Sequence, residues 1–498
     1  MQKVPSGIVP MVAVDRKAPE ALYKQIYDSY RKSIAERRLR SGQRIPSTRA
    51  LASELGVSRF PVLNAYAQLL AEGYFESRVG AGTIVSSSLP DQFTPGQQVP
   101  RRAAVSSGTR PATSGDRPVS RRSAIFPRLD PTPWVQGWGA FNVGEVAFDH
   151  FPLQIWSQLV ARHCRKMGAR SFHYGDPLGS AAFREIIASY LRTARSLQCE
   201  ASQVMIVSGS QQALEITARV LLDSGTPVWV ENPGYRLARE ALVLAGCRLV
   251  PVPVDEEGLD VAAGIKRSRK ARAALVTPSH QFPLGVTMSA SRRLQLLDWA
   301  QRYGAWIIED DYDSEYRYES MPIASLQGLD ANARVIYIGT FSKVLFPSLR
   351  LGYVVIPPDL VDRFAAVRKT MDISPPSFYQ DVVADFMSEG HFARHIRRMR
   401  VLYRERRSAL VESLEKELGP TVEVLGSEAG MHLAVALPNG RGDREIAERA
   451  ARQNLWIWPL SLNYLGDGRP GFVLGFGSSG LAEIPRAVRK LGDLLAGK

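Results

Sequence analysis

Residues 335–350 read Val-Ile-Tyr-Ile-Gly-Thr-Phe-Ser-Lys-Val-Leu-Phe-Pro-Ser-Leu-Arg: a short apolar run, a polar turn carrying Lys343, and Arg350 seven residues beyond the lysine. A run this short and this rich in Val and Ile reads as a buried strand over 335–338, with Thr340, Ser342 and Lys343 past its C-terminal end. Similar runs occur upstream at Val204–Val207, 227–230, 273–277 and 306–308, with helix-like stretches between most of them. Such alternation implies an α/β domain, a largely parallel sheet covered by helices. In sheets of this kind ligands collect beyond the carboxyl ends of the strands.

Those strand ends share one chemistry. Ser208-Gly209-Ser210-Gln211-Gln212 follows the run at 204–207 and opens a helix, which suits a phosphate at a helix N-terminus, although alone it is an ordinary cap. Glu309-Asp310-Asp311-Tyr312 follows the isoleucines at 307 and 308. A pyridoxal phosphate site needs a lysine to form an imine and a carboxylate that keeps the pyridine nitrogen protonated. It also needs a donor for the ring oxygen, ligands for the phosphate and, often, an aromatic ring against the pyridine. Lys343 and Asp310 meet the first two needs. Tyr312, two residues past Asp310, falls on the same side of an extended chain and can reach the ring oxygen. Thr340, Ser342 and Arg350 join Ser210 and Gln211 around the phosphate, with Arg350 neutralising it. Tyr235, in Glu231-Asn232-Pro233-Gly234-Tyr235, is the ring-stacking candidate. The plainer alternatives are a solvated lysine and, over 309–315, a polar surface or a metal site. That acidic run follows two isoleucines, contains tyrosines and lacks the glycine of a calcium loop, so a buried edge is expected and no metal site.

The first 85 residues follow another pattern. Leu22, Ile26, Tyr30 and Ile34 recur at helical spacing. After the turn Arg40-Ser41-Gly42, Ser47 is positioned to cap a helix over Thr48–Leu55 that stops at Gly56, and Ser58 to cap a third helix over 59–72. Two helices joined so tightly form a helix-turn-helix, whose second helix lies in the major groove with its N-terminal residues at base edges; Arg59 sits there. Strands over 74–78 and 83–85 flank Val79-Gly80-Ala81-Gly82, whose glycines permit a tight wing near the phosphate backbone. Residues 1–85 are therefore expected to be a winged helix-turn-helix that binds double-stranded DNA, with a three-helix protein-binding module as the alternative. From 86 to 133 the chain fills with Pro, Ser, Gly, Thr and Arg and loses periodicity, as a flexible basic linker would. The large domain then spans 134–498.

Charge agrees with that division. The 498 residues carry a net +14; thirteen basic against seven acidic residues give 1–85 a net +6, and seven against three give 86–130 a net +4. Positive charge gathered at one end suits a polyanion-binding module, because neutralised phosphates release counterions, although a solvated basic surface would look alike. Apolar content of 45% and charged content of 22% exclude a disordered or fibrous chain. No membrane-length apolar run occurs and residues 1–15 lack a secretory pattern, so a cytoplasmic location is expected. Cys164, Cys199 and Cys247, odd in number and without metal spacing, read as reduced, buried thiols.

The first unit resembles the GntR family of winged regulators. Leu22-Tyr23-Lys24-Gln25-Ile26, Gly42-Gln43-Arg44-Ile45-Pro46-Ser47-Thr48-Arg49, Leu55-Gly56-Val57-Ser58-Arg59, Ala71-Glu72-Gly73-Tyr74 and 78–85 follow the family pattern nearly end to end. The resemblance implies DNA contacts at Arg49, Ser58, Arg59 and Gly80, to which Ser47, Arg78 and Gly82 are added as neighbouring candidates. Phe60-Pro61 departs from the polar pair usual after the arginine, so no base preference carries over. The large domain resembles the fold-type I aminotransferases, and the two together resemble the MocR subfamily of GntR regulators. Tyr174-Gly175-Asp176-Pro177-Leu178-Gly179, Thr277-Pro278-Ser279-His280-Gln281-Phe282-Pro283-Leu284-Gly285 and 310–318 extend the match. It implies a smaller C-terminal α+β subdomain, pyridoxal phosphate held on Lys343, a head-to-tail homodimer, an operator of repeated half-sites, and an effector that is an amino compound or the vitamer itself. Two departures bear on turnover. The Asn-Pro-x-Gly of working enzymes, whose asparagine touches the cofactor oxygen, is Phe282-Pro283-Leu284-Gly285 here, leaving His280 or Gln281 as substitutes. The C-terminal strand Gly471-Phe472-Val473-Leu474-Gly475-Phe476 holds no arginine for a substrate carboxylate; Arg469 and Arg236 are its neighbours in sequence. Lys343 is thus expected to serve sensing more than turnover, with an active aminotransferase carrying a nucleic-acid anchor as the alternative.

Overall fold

The structure, a computed structural model, describes residues 12, 14–36, 38–78, 82–87, 120, 123, 137, 139–318, 324–426, 428–438 and 442–497. Gly80 and, apart from residues 86, 87, 120 and 123, the linker expected over 86–133 lie outside the described residues. The chain divides into two compact units, Met1–Arg117 and Pro118–Lys498.

In the first unit α1 (Leu22–Ala35), α2 (Thr48–Leu55) and α3 (Arg59–Ala71) precede an antiparallel hairpin of β1 (Phe75–Arg78) and β2 (Gly82–Val85). Tyr30, Tyr66 and Phe75, one from each of α1, α3 and β1, meet edge to face with centroids 5.7, 5.3 and 5.3 Å apart. The two phenol oxygens lie 3.2 Å apart and Tyr66 donates to the Pro46 carbonyl at 3.0 Å, so the polar tips buried with these rings are satisfied. Ser47 caps α2 as expected, accepting from the Ala50 N–H, and Gly56 ends it in the left-handed region. Ser58 stands before α3 but makes no capping bond, which corrects the expected second cap. The reason is local. The N–H that Ser47 captures in α2 belongs to the third helical residue, and the third residue of α3 is Pro61, which has none.

The second unit is built on an eight-stranded sheet of β3 (Val204–Val207), β4 (Pro227–Asn232), β5 (Arg248–Asp255), β6 (Gly258–Leu259), β7 (Ala273–Val276), β8 (Trp306–Asp311), β9 (Val335–Thr340) and β10 (Gly352–Val355), in the order β3-β10-β9-β8-β7-β4-β5-β6. The strands β5, β4, β7, β8 and β9 pair in parallel; β10 and β6 run antiparallel to their neighbours. Side chains alternate between two faces, as the pleat requires. Met205 and Val207 join a core with the helices Ser210–Leu221 and Arg236–Leu244, whereas Val204 and Ile206 join another with Ala181–Arg195 and His391–Glu417. Strands β8 and β9 run further than their apolar runs, to Asp311 and Thr340, because the ladder continues through Asp310↔Ile338 and Asp311↔Gly339 whatever the side chains carry. A smaller antiparallel sheet, β11 (Glu423–Leu425), β12 (His432–Ala436), β13 (Trp458–Pro459) and β14 (Gly471–Gly475), follows with the helices Asp443–Arg452 and Ile484–Leu495. This is the fold of the fold-type I aminotransferases. Cys199 and Cys247 are buried, but Cys164 is exposed in the basic last turn of Leu153–Lys166, which corrects the expectation for that thiol. No helix among the described residues is long and apolar enough to cross a membrane.

Candidate functional site

A cavity of about 370 Å³ lies where β8 and β9 end, and all nine residues singled out for a cofactor line it: Ser210, Gln211, Tyr235, Asp310, Tyr312, Thr340, Ser342, Lys343 and Arg350. Alternation along β8 decides which carboxylate faces it. Asp310 does, buried, with its Oδ1 lacking any hydrogen-bond partner among the described residues. Burial first, then the nearby Asp311, Glu231 and Asp313, push its pKa up to about 7. Asp311 serves the interior instead, where Arg195 donates to it at 2.6 and 2.9 Å and Tyr337 at 2.5 Å.

Lys343 reaches the cavity from the turn after β9, its Nζ donating to the Gly144 carbonyl at 2.9 Å. A Cβ on Gly144 would stand 2.3 Å from that Nζ, and the glycine's φ of +87° disfavours a side chain as well. Burial lowers the lysine's pKa against the pull of Asp313 and Glu145, which raises the share of neutral amine able to attack a carbonyl. At the other end the helix Ser210–Leu221 begins after Gly209, Arg350 donates to the Ser208 carbonyl at 2.8 Å, and the Thr340 and Ser342 hydroxyls lie 3.0 Å apart. Helix terminus, hydroxyls and guanidinium together make an anion cradle. The Gln211 Nε2 beside it is buried without a partner.

Tyr235 meets Phe282 edge to face at 5.3 Å. The Tyr312 hydroxyl donates to the His280 carbonyl at 2.9 Å and lies 3.0 Å from His280 Nδ1. Of the two residues left to replace the missing asparagine, Gln281 is spent elsewhere, donating to Glu231 and the Pro233 carbonyl and accepting from the Leu284 N–H. His280 acts through Tyr312. Behind it Asp313 lies 3.0 Å from His280 Nδ1, and His432 stacks obliquely at 4.7 Å. Ligand-capable atoms of His280, Asp313 and His432 all lie within 4.8 Å of one another, a grouping that the expectation of no metal set did not foresee. Asp313 and the Tyr312 hydroxyl both lie against His280 Nδ1, whereas the Nε2 atoms of His280 and His432 have no hydrogen-bond partner among the described residues. Burial and His280 hold His432 well below the usual pKa, so its ring is neutral. Nothing in the sequence singles out His432, which opens an otherwise apolar strand 89 residues beyond the lysine.

Neither arginine considered for a carboxylate lines the cavity: Arg236 pairs with Glu240 at 3.1 Å, and Arg469 pairs with Glu423. In the first unit Ser47, Arg49, Ser58, Arg59 and Phe60 are all exposed around the starts of α2 and α3, with Arg59 donating to the Thr48 hydroxyl at 3.1 Å. Arg78 closes β1, and Gly82 opens β2 with φ +79°.

Comparison with known proteins covers both units. Residues 138–462 match the family aminotransferase class I and II, and residues 22–85 match bacterial regulatory proteins, gntR family. The chain is similar to the probable rhizopine catabolism regulatory protein MocR of Rhizobium meliloti, 39% identical over 467 residues that cover 94% of this chain and 92% of the relative. It is also similar to the pyridoxine biosynthesis transcriptional regulator PdxR of Corynebacterium glutamicum, 32% identical over 96% of this chain and 98% of the relative. Among solved structures, the kynurenine aminotransferase of Pyrococcus horikoshii superposes with a TM-score of 0.70 at 28% identity, over 76% of this chain and 97% of that one. A DNA-binding module and an aminotransferase domain in one chain, matched almost end to end by regulators of the same build, make this protein a member of the MocR-type subfamily of GntR-family transcriptional regulators.

Proposed function

We propose that this regulator holds pyridoxal phosphate on Lys343 and alters its binding to DNA when an amino compound, or the vitamer itself, occupies the cavity. The observation that carries the reading is the unpartnered, fully buried Oδ1 of Asp310 facing a cavity that also holds a lysine amine. A buried carboxylate without a partner is costly, and a protonated pyridine nitrogen is the kind of donor that removes the cost. The other residues fit the same group. Arg350, Ser210, Gln211, Thr340 and Ser342 would hold its phosphate, Tyr235 its ring face, and Tyr312, backed by His280, its ring oxygen. When bound, the cofactor supplies an aldehyde carbon that combines with amines; the protein supplies the lysine, its pKa lowered by burial, the counter-charge and the anion cradle.

Ser58 and Arg59 would meet DNA in the major groove and Arg49, Arg78, Gly80 and Gly82 its backbone, with Ser47 holding α2 in position. A head-to-tail homodimer would present two such modules to repeated half-sites. Regulation then requires that the effector favour one arrangement of the dimer over another, since equal affinity for both shifts nothing. Two measurements test the reading. The visible band of lysine-bound pyridoxal phosphate is expected in the purified protein and should vanish in Lys343→Ala; its persistence there would remove the assigned lysine. Footprinting on DNA upstream of its own gene should give protection over repeated half-sites, and a uniformly cleaved footprint counts against the regulator's expected target. Steady transamination at roughly 1 per second or faster would favour the enzyme reading instead.

A further inference from the structure

We infer that the effector is a primary amine that carries no carboxylate, its body held by apolar and aromatic side chains and hydrogen-bonded to His432; this rests on the cofactor reading above. Beyond the residues assigned to the cofactor, the cavity is lined by Val143, Leu237, Phe282, Met431, His432 and Trp458. Its cations among the described residues are Lys343 and Arg350. The first is committed to the carbonyl. The second already donates to the Ser208 carbonyl and stands at the phosphate end. The remaining arginines near the site are engaged elsewhere: Arg236 with Glu240, Arg469 with Glu423, and Arg239 with the Asn463 carbonyl at 2.7 Å. Strand β14, where an arginine could face a bound carboxylate, is wholly buried and apolar.

A carboxylate entering this end would shed its water and meet no uncommitted cation among the described residues, which costs more than apolar contacts return. The ionisable neighbours make matters worse. The charged groups that act on Lys343 are Asp313 and Glu145, both acidic. His432 offers something different. Its Nε2 is buried without a partner, and its ring is neutral with the other nitrogen bonded to the Pro283 backbone, so Nε2 can accept from a hydroxyl, phenol or amide N–H but cannot balance a carboxylate.

The test uses the full chain loaded with pyridoxal phosphate and gel-filtered, with the visible band followed while matched pairs are titrated: phenethylamine against phenylalanine, tyramine against tyrosine, histamine against histidine. Each amine is expected to reach half-saturation at a concentration at least tenfold below that of its amino acid. Amino acids that match or better their amines would overturn the inference, and so would a band that none of the six compounds perturbs. His432→Leu, checked for an intact starting band, should raise the half-saturating concentration of tyramine at least tenfold more than that of phenethylamine; equal shifts would remove the hydrogen bond from the argument. If the untreated protein carries no band at all, the cofactor reading fails first and this inference falls with it, an outcome distinct from a band that prefers amino acids.

Discussion

Asp310 and Asp311 are neighbours in the chain and opposites in setting. Asp311 is paired with Arg195 at 2.6 Å, whereas Asp310 has no ion pair among the described residues and a pKa pushed from the usual 3.8 to about 7. Between those values the cofactor-free native protein keeps a proton that the unfolded chain has already released. The unfolded state then binds fewer protons, so this group lowers stability as pH rises from about 4 through 7. Asp310→Asn cannot charge and escapes the penalty. Calorimetry of the cofactor-free proteins should give the variant the higher melting temperature at pH 8 and no advantage at pH 4, at roughly 2–4 °C for each kcal/mol relieved. Added pyridoxal phosphate should reverse the order at pH 8, because the parent carboxylate then gains its partner. Phe60 is the other residue whose surroundings speak. It is 70% exposed beside Arg59 at the start of α3, where an apolar ring can meet a thymine methyl. Phe60→Asn is expected to change preference at one base pair of each half-site by about 1–3 kcal/mol and to leave the salt dependence unaltered, whereas Arg49→Ala should flatten the salt slope by about 1. Binding measured across a salt series separates the two.

At the level of elements, the two serines before α2 and α3 look interchangeable in sequence but do different work. Ser47→Ala should destabilise the winged unit by about 1 kcal/mol through a lost cap, and Ser58→Ala by less than about 0.5 kcal/mol, because Ser58 makes no capping bond to lose. Denaturant unfolding of the two variants checks this. The segment around Gly144 is a second case. Its neighbours bridge to the C-terminal part of the unit, Ala140 to Leu455 and Phe141 to Gly475, and so carry the Gly144 carbonyl to the lysine. Gly144→Ala adds a Cβ 2.3 Å from Nζ at a φ of +87°. Affinity for pyridoxal phosphate is expected to fall tenfold or more while the winged unit's DNA binding, read on a single half-site, stays as it was.

Across the whole molecule, the proposed function gives the two units separate tasks, which an effector's preference for one state of a dimer would couple. Sedimentation should give twice the 55.0 kDa of one chain, and a monomer at working concentration would remove the dimer from the proposal. Much of this organisation was legible in local pattern. The strand at 335–338 followed by Thr340, Ser342 and Lys343, the acidic cluster after 306–308, and the helices of the first unit each lie within one short stretch of chain, and the nine residues read as cofactor ligands all line one cavity. Less legible were the ends of β8 and β9, because backbone pairing extends past the last apolar side chain, and the missing cap at Ser58, which depended on a proline three residues on.

By itself the sequence determined the order of the modules, the sheet-and-helix alternation of the large one, and the types of residue its strand ends would present, all of them properties of backbone periodicity and nearest neighbours. Tertiary structure alone decided that Asp310 stays unpaired while Asp311 pairs with Arg195, that Gln281 is spent on Glu231 and backbone groups while His280 backs Tyr312, and that His432 and Trp458 from a separate small sheet complete a cavity whose only other cation is Arg350 among the described residues. The physical reason is that burial and long-range contact set these outcomes. Whether a carboxylate is paired, whether an imidazole is neutral and whether an arginine is free all depend on groups that the chain brings together only by folding.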